Sequence, residues 1–174
     1  MGTVALLFGG FLGAFPMKAA DNSDSEQVSK LLSDAKAMAF QVKEDAQTMA
    51  GYAQTTVSWQ THVATVDKIR EHVNALGQQV TKLKAARDTG SPWQKTAIDR
   101  IDPYLDEMGG YTTAIIEHIN KNPKLLFTQQ YKDYLETNAD YASDLAAMIG
   151  DFVDYGRTKQ KLETLGDKLE ISSR

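Results

Sequence analysis

WQTHVATVDKIREHVNALGQQVTKLKAARDTGSPWQ, residues 59–94, contains one complete helix and the turn that ends it. Trp59, His62, Val66, Ile69, Val73, Leu76, Val80 and Leu83 follow one another in steps of three and four residues. A helix turns by about 100° per residue, so this spacing holds one seam on one side, the a/d pattern of a helix packed along its length on a neighbour. The stretch closes on a stop followed at once by a start. Gly90 suits a left-handed helix stop and Ser91 an N-cap. Pro92 suits the first helical position, where its missing N–H costs nothing, and Gln94 completes an S-x-x-Q capping box. So short a turn sends the next helix back along the one before it.

The same reading extends outward in both directions. Past the turn, Ala97, Ile101, Leu105, Met108, Ile115 and Ile119 form the inward face of a helix over residues 92–121, stopped by Asn122-Pro123. Pro103 inside it predicts a bend, and Gly109-Gly110 a kink or a close helix contact. A connector with Leu125, Leu126 and Phe127 leads to a helix over 128–166, with Tyr131, Tyr134, Leu135, Tyr141, Ala142, Leu145, Met148, Ile149, Phe152 and Tyr155 inward. Before the opening stretch, Ser23-Asp24-Ser25-Glu26 matches a capping box and predicts a helix from Asp24, with Val28, Leu31, Ala35, Met38, Val42, Ala46, Met49 and Ala53 as its seam. Strand-like alternation is missing between the turn signals. The predicted fold is all-α: an up-down-up-down antiparallel four-helix bundle after an N-terminal leader, with helices over about 24–57, 59–88, 92–121 and 128–166.

Residues 2–17, GTVALLFGGFLGAFPM, carry no charge and run into Lys18-Ala-Ala and a polar tract. An apolar run followed by small residues and soluble sequence reads as a secretory signal peptide over 1–20, leaving a bundle domain over 21–174. No Lys or Arg precedes the run. An uncleaved anchor is the rival reading, and 16 uncharged residues fall short of the ~20 that a spanning helix needs. The expected location is therefore exported, in the periplasm or outside the cell, within a bacterial envelope. The lack of cysteine excludes disulfides, thiolate metal sites, C-x-x-C-H haem attachment and cysteine nucleophiles. A net charge of −4 argues against nucleic acid as a partner.

Catalytic and cofactor motifs do not emerge. A di-iron bundle needs Glu-x-x-His on two helices, whereas Glu71-His72 and Glu117-His118 are adjacent pairs whose side chains diverge. Haem ligation would fall to Met38, Met49, Met108 or Met148, which read as core filler. No catalytic residue, metal or cofactor is expected. The sequence favours a non-enzymatic interaction or scaffold module with a protein partner in the envelope, and membrane contact through the leader alone. Its alternatives are a bundle that binds a small ligand, haem or metal, and an amphipathic bundle that binds a lipid surface.

Two constellations merit testing. Positions 62 and 118 each lie 28 residues from Gly90, so antiparallel helices bring His62 and His118 to one level, with Tyr131 and Trp59 close by as an end cluster. Such a cluster is either a capped bundle end, with histidine bonded to tyrosine, or a ligand site. On the last helix, Asp133, Asp140, Asp144, Asp151 and Asp154 recur at spacings of seven, four, seven and three, giving one acidic flank. That flank is either solvated and partly paired with Lys82, Lys84 and Arg87, or a surface for a basic partner. Stretches such as 58–62 (SWQTH), 68–74 (KIREHVN), 91–94 (SPWQ) and 151–156 (DFVDYG) resemble uncharacterised exported helical proteins of bacteria. The resemblance implies export and an all-helical domain, and no activity.

Overall fold

The computed structural model describes residues 23–169, and the signal peptide expected over 1–20 lies outside them. Four helices follow in order: α1 Glu26–Gly51, α2 Trp59–Ala86, α3 Pro92–Lys121 and α4 Gln129–Lys168. Single 3₁₀ turns, Tyr52–Gln54 and Arg87–Thr89, extend α1 and α2. No strand occurs among the described residues. Each helix packs on its chain neighbour, and α1 packs on α4 to close the ring, leaving α1 and α3, and α2 and α4, across the diagonals. The fold is an up-down-up-down four-helix bundle.

The core divides along the bundle axis. One part gathers Leu32, Leu76, Leu83, Ile98, Ile101, Met108 and Ile149, and the other Met49, Val66, Ile69, Ile115, Ile119, Tyr131 and Leu135. The seam on α3 is buried as its spacing requires. On α1 Val28, Ala35, Val42, Ala46 and Met49 are buried as expected, while Leu32 and Ala39 are buried in place of Leu31 and Met38, which are half-buried beside them. Alanines explain that shift by one residue. Ala35, Ala39 and Ala46 on α1, and Ala139, Ala142 and Ala146 on α4, are all buried, and small side chains let two packed helices come close.

Several helix ends differ from their sequence reading. The N-cap of α1 is Ser25, whose Oγ accepts the Val28 N–H at 3.4 Å, so the helix starts two residues later than Asp24. Ser23 is therefore not the cap, and Asp24 precedes the helix, its carboxylate accepting from Trp93 Nε1 at 2.7 Å and Lys159 Nζ at 2.9 Å. At the other end α1 stops at Gly51, well short of residue 57, where the chain tightens into the 3₁₀ turn. Gly90 is extended, at φ −78° and ψ 150°, and not left-handed. Glycine suits the position for space, since a Cβ would lie at a tight 3.2 Å from both the Arg87 carbonyl oxygen and Gln94 Cβ. Gly109 and Gly110 make no close helix contact, because a Cβ on either would meet nothing within 4 Å. Trp59 and Tyr155, read as inward, are 41% and 53% exposed. Trp59 is the first residue of α2, beyond the reach of the core, and Tyr155 lies against the edge of Trp93 with ring centroids 5.3 Å apart.

Gln94 ties the turn to the start of α1. Its side chain is fully buried, and Oε1 accepts the N–H of Ser91 and of Ser25, each at 2.9 Å. Its Nε2 donates to the Ser25 carbonyl and to Ser29 Oγ, again at 2.9 Å. A capping residue that satisfies all its hydrogen-bonding capacity across two helices fixes the α2–α3 turn against α1. The Ser91 hydroxyl, also buried, lies beside the Asp24 carboxylate and helps hold it ionised. Burial works to raise the Asp24 carboxyl and is outweighed by Ser91, Lys159 and Trp93, which leave it below its ordinary value.

Candidate functional site

The end of the bundle formed by the α1–α2 turn and the α3–α4 connector brings three of the four end-cluster residues together. His62 Nδ1 and Tyr131 Oη are 2.9 Å apart, and the His118 ring stacks on Tyr131 with centroids 4.8 Å apart and an interplanar angle of 27°. Tyr131 is fully buried, and burial raises its phenol far above the ordinary range. Burial also lowers His62 below its ordinary value, so both partners are neutral near pH 7 and share a single hydrogen bond. Trp59 stands apart, and the ring packed edge-on against His62 belongs to Tyr52, centroid distance 5.3 Å. Tyr52 escapes sequence reading because it lies in the 3₁₀ turn, where helical spacing no longer applies.

His118 has a second task. Its Nε2–H donates to the Leu125 carbonyl at 3.1 Å, and Thr128 Oγ1 donates to the same oxygen at 3.0 Å. The imidazole therefore fastens the connector to α3, while its face covers Tyr131. Among the described residues no three His, Cys, Asp or Glu side chains converge as a metal site. Of the methionines, Met49 and Met108 are buried in different parts of the core. The chemistry this arrangement supports is closure of an apolar core by a neutral, hydrogen-bonded aromatic layer.

The acidic flank of α4 resolves into two parts. Asp154 is taken up by Lys36 on α1 at 2.9 Å and by Arg157 at 3.7 Å, and these partners lower its carboxyl. Asp133 accepts from Gln129 Nε2 at 2.7 Å. Asp140, Asp144 and Asp151 have no ion pair among the described residues. The bases of α2 do not reach this flank, because α2 and α4 are diagonal. Lys84 instead pairs with Asp102 at 2.6 Å, and Arg87 grips Asp99 through two bonds of 2.6 Å, both partners being on α3.

Beside those carboxylates runs a groove between α3 and α4. Trp93, Arg100, Tyr104, Asp144, Met148, Asp151, Phe152 and Tyr155 line a pocket of about 620 Å³. The Arg100 guanidinium lies over the Phe152 ring, 5.8 Å from its centroid. Farther along, Tyr104 meets Tyr141 edge-on at 6.3 Å, and Tyr111 stacks on Tyr141 at 5.5 Å. Glu107 first, then burial, Tyr111, Tyr104 and Asp144 raise the half-buried Tyr141 phenol above its ordinary value. No family model, curated protein or solved structure matches this chain.

Part of the groove was open to discovery from sequence. Trp93, Arg100, Tyr104 and Tyr111 recur at spacings of seven, four and seven, so they share one stripe of α3. The acidic residues of α4 have the same rhythm. What spacing alone does not give is the rotation of each helix about its axis, which decides whether two stripes meet.

Proposed function

We propose that this chain is a non-enzymatic binding module, an exported helical bundle whose α3–α4 groove takes a cationic peptide segment. Supporting this reading is one observation above the rest: Arg100 already lies on Phe152 in a groove edged by Asp144 and Asp151, which have no ion pair among the described residues. A guanidinium attracted to an aromatic face while carboxylates stand nearby is the arrangement an incoming Arg or Lys would reproduce. The aromatic strip from Trp93 to Tyr111 covers 18 residues of α3, about 27 Å, which matches about eight residues of extended chain. Export rests on the character of residues 2–17.

Calorimetric titration with an arginine-rich octapeptide and with its glutamate counterpart tests the reading. Binding of the basic peptide that weakens about tenfold in Asp144→Asn/Asp151→Asn supports it, since two carboxylates at a partly exposed site contribute roughly 0.5 to 1 kcal/mol each. Equal binding of both peptides, or none, rejects it.

A further inference from the structure

We propose that the bundle end opposite Trp93, built from the α1–α2 turn and the α3–α4 connector, docks on an anionic lipid surface. The end displays apolar side chains that no other described residue covers. Phe127 is 72% exposed, Leu125 43% and Trp59 41%. Residues 46–66, which run through the α1–α2 turn, contain no Asp, Glu, Lys or Arg at all. Residues 118–132, which run through the connector, contain Lys121, Lys124 and Lys132 and no carboxylate. In a chain of net charge −4 the connector is therefore basic between Glu117 and Asp133. The nearest carboxylates are Glu117, paired with Lys121 at 2.7 Å, and Asp133, bonded to Gln129. Farther up α4, Glu136 lies about 8 Å and Asp140 about 13 Å from Tyr131, at and beyond the Debye length of ~8 Å, so the charges nearest the tip are those of Lys124 and Lys132, neither of which has an ion pair among the described residues.

Protruding Phe, Leu and Trp with lysines among them match the boundary of a bilayer, where aromatic rings settle at headgroup level and ammonium groups meet phosphate. A pocket of about 320 Å³ behind the tip is lined by Tyr52, Val57, His62, Leu126, Phe127 and Lys132, so one wall is apolar and one carries a cation. The layer of Tyr131, His62 and His118 seals the core beneath it, and the tip can enter a headgroup region without exposing that core. No described helix is long and apolar enough to cross a membrane, so this contact is peripheral. Each lysine near such a surface strengthens binding about fivefold.

The two tryptophans provide the test, because α2 separates them by about 42 Å. Full-length Trp93→Phe keeps Trp59 as reporter at the tip, and Trp59→Phe keeps Trp93 at the far end. Each is mixed with vesicles carrying brominated acyl chains, made of phosphatidylcholine alone or with about one third phosphatidylglycerol. Quenching of Trp59 but not Trp93, stronger by about tenfold in apparent affinity with phosphatidylglycerol, and lost in Phe127→Asp, is the expected result. Equal quenching of both reporters would point to the N-terminal apolar segment and overturn the proposal. So would no quenching, quenching indifferent to phosphatidylglycerol, or capture of an acidic protein segment at this end with no quenching.

Discussion

Replacing Gln94 by alanine should destabilise the bundle by about 3 kcal/mol, far more than its surface-like residue type suggests. The side chain is fully buried and makes four hydrogen bonds of 2.9 Å. The Ser91 N–H is itself buried, and leaving it unpaired costs roughly 1 to 3 kcal/mol. The Ser25 N–H and carbonyl are only partly buried, so water can replace part of what they lose, at about 1 kcal/mol each. Against these stands the release of a long side chain, worth up to about 2 kcal/mol of entropy on burial. Urea unfolding followed by helical circular dichroism measures the difference, with Gln130→Ala as a surface control expected within about 0.5 kcal/mol. For a chain of this size the loss corresponds to a Tm lower by about 6 to 12 °C. A loss below about 1 kcal/mol in Gln94→Ala would refute the assignment of this amide as the bond between the α2–α3 turn and α1.

Three further outcomes follow from the same structure. Gly109→Ala and Gly110→Ala should each stabilise by up to about 1 kcal/mol, because alanine favours helix and a Cβ there meets nothing within 4 Å. Gly156→Ala should go the other way, since its Cβ would fall 2.8 Å from Trp93 Cη2 and displace a ring tied to Asp24; thermal unfolding with tryptophan emission separates the two signs. His62 has a lowered pKa from burial, so the unfolded chain binds its proton first: stability is full above about pH 6.5 and is lost as pH falls through the folded value. That decline, read from urea midpoints between pH 7 and 5, should shrink in His62→Phe, which keeps the ring against Tyr52 and Tyr131; an unchanged slope would assign the decline to other groups.

What the sequence revealed followed the strength of local physics. The seam of α3 and the bounds of that helix could be read directly, because Ser91, Pro92 and Gln94 fix its start and Asn122-Pro123 its end. The α1 start was misplaced because Ser23 and Glu26 have capping-box spacing, whereas Ser25 two residues on is the N-cap and Asp24 is held by Trp93 and Lys159. Counting residues from the turn placed His62, His118 and Tyr131 at one level, since antiparallel helices of equal rise preserve distance from a hinge. Trp59 was drawn into that cluster by its a/d spacing, yet the first residue of a helix projects past the layer it would join. The groove stayed hidden for a different reason. Its aromatic and acidic residues sit on two helices, and only the angle at which α3 and α4 present their stripes makes them one surface.

Mapping amide shifts of isotope-labelled protein by NMR during titration with the arginine-rich peptide tests the central claim most directly, because it reports where the ligand sits as well as whether it binds. The account predicts saturable shifts at Arg100, Tyr104, Asp144, Asp151 and Tyr155, with the α1–α2 face unchanged and the same shifts absent in Asp144→Asn/Asp151→Asn. Shifts scattered over every acidic patch of the bundle, or confined to residues outside the α3–α4 groove, would contradict it.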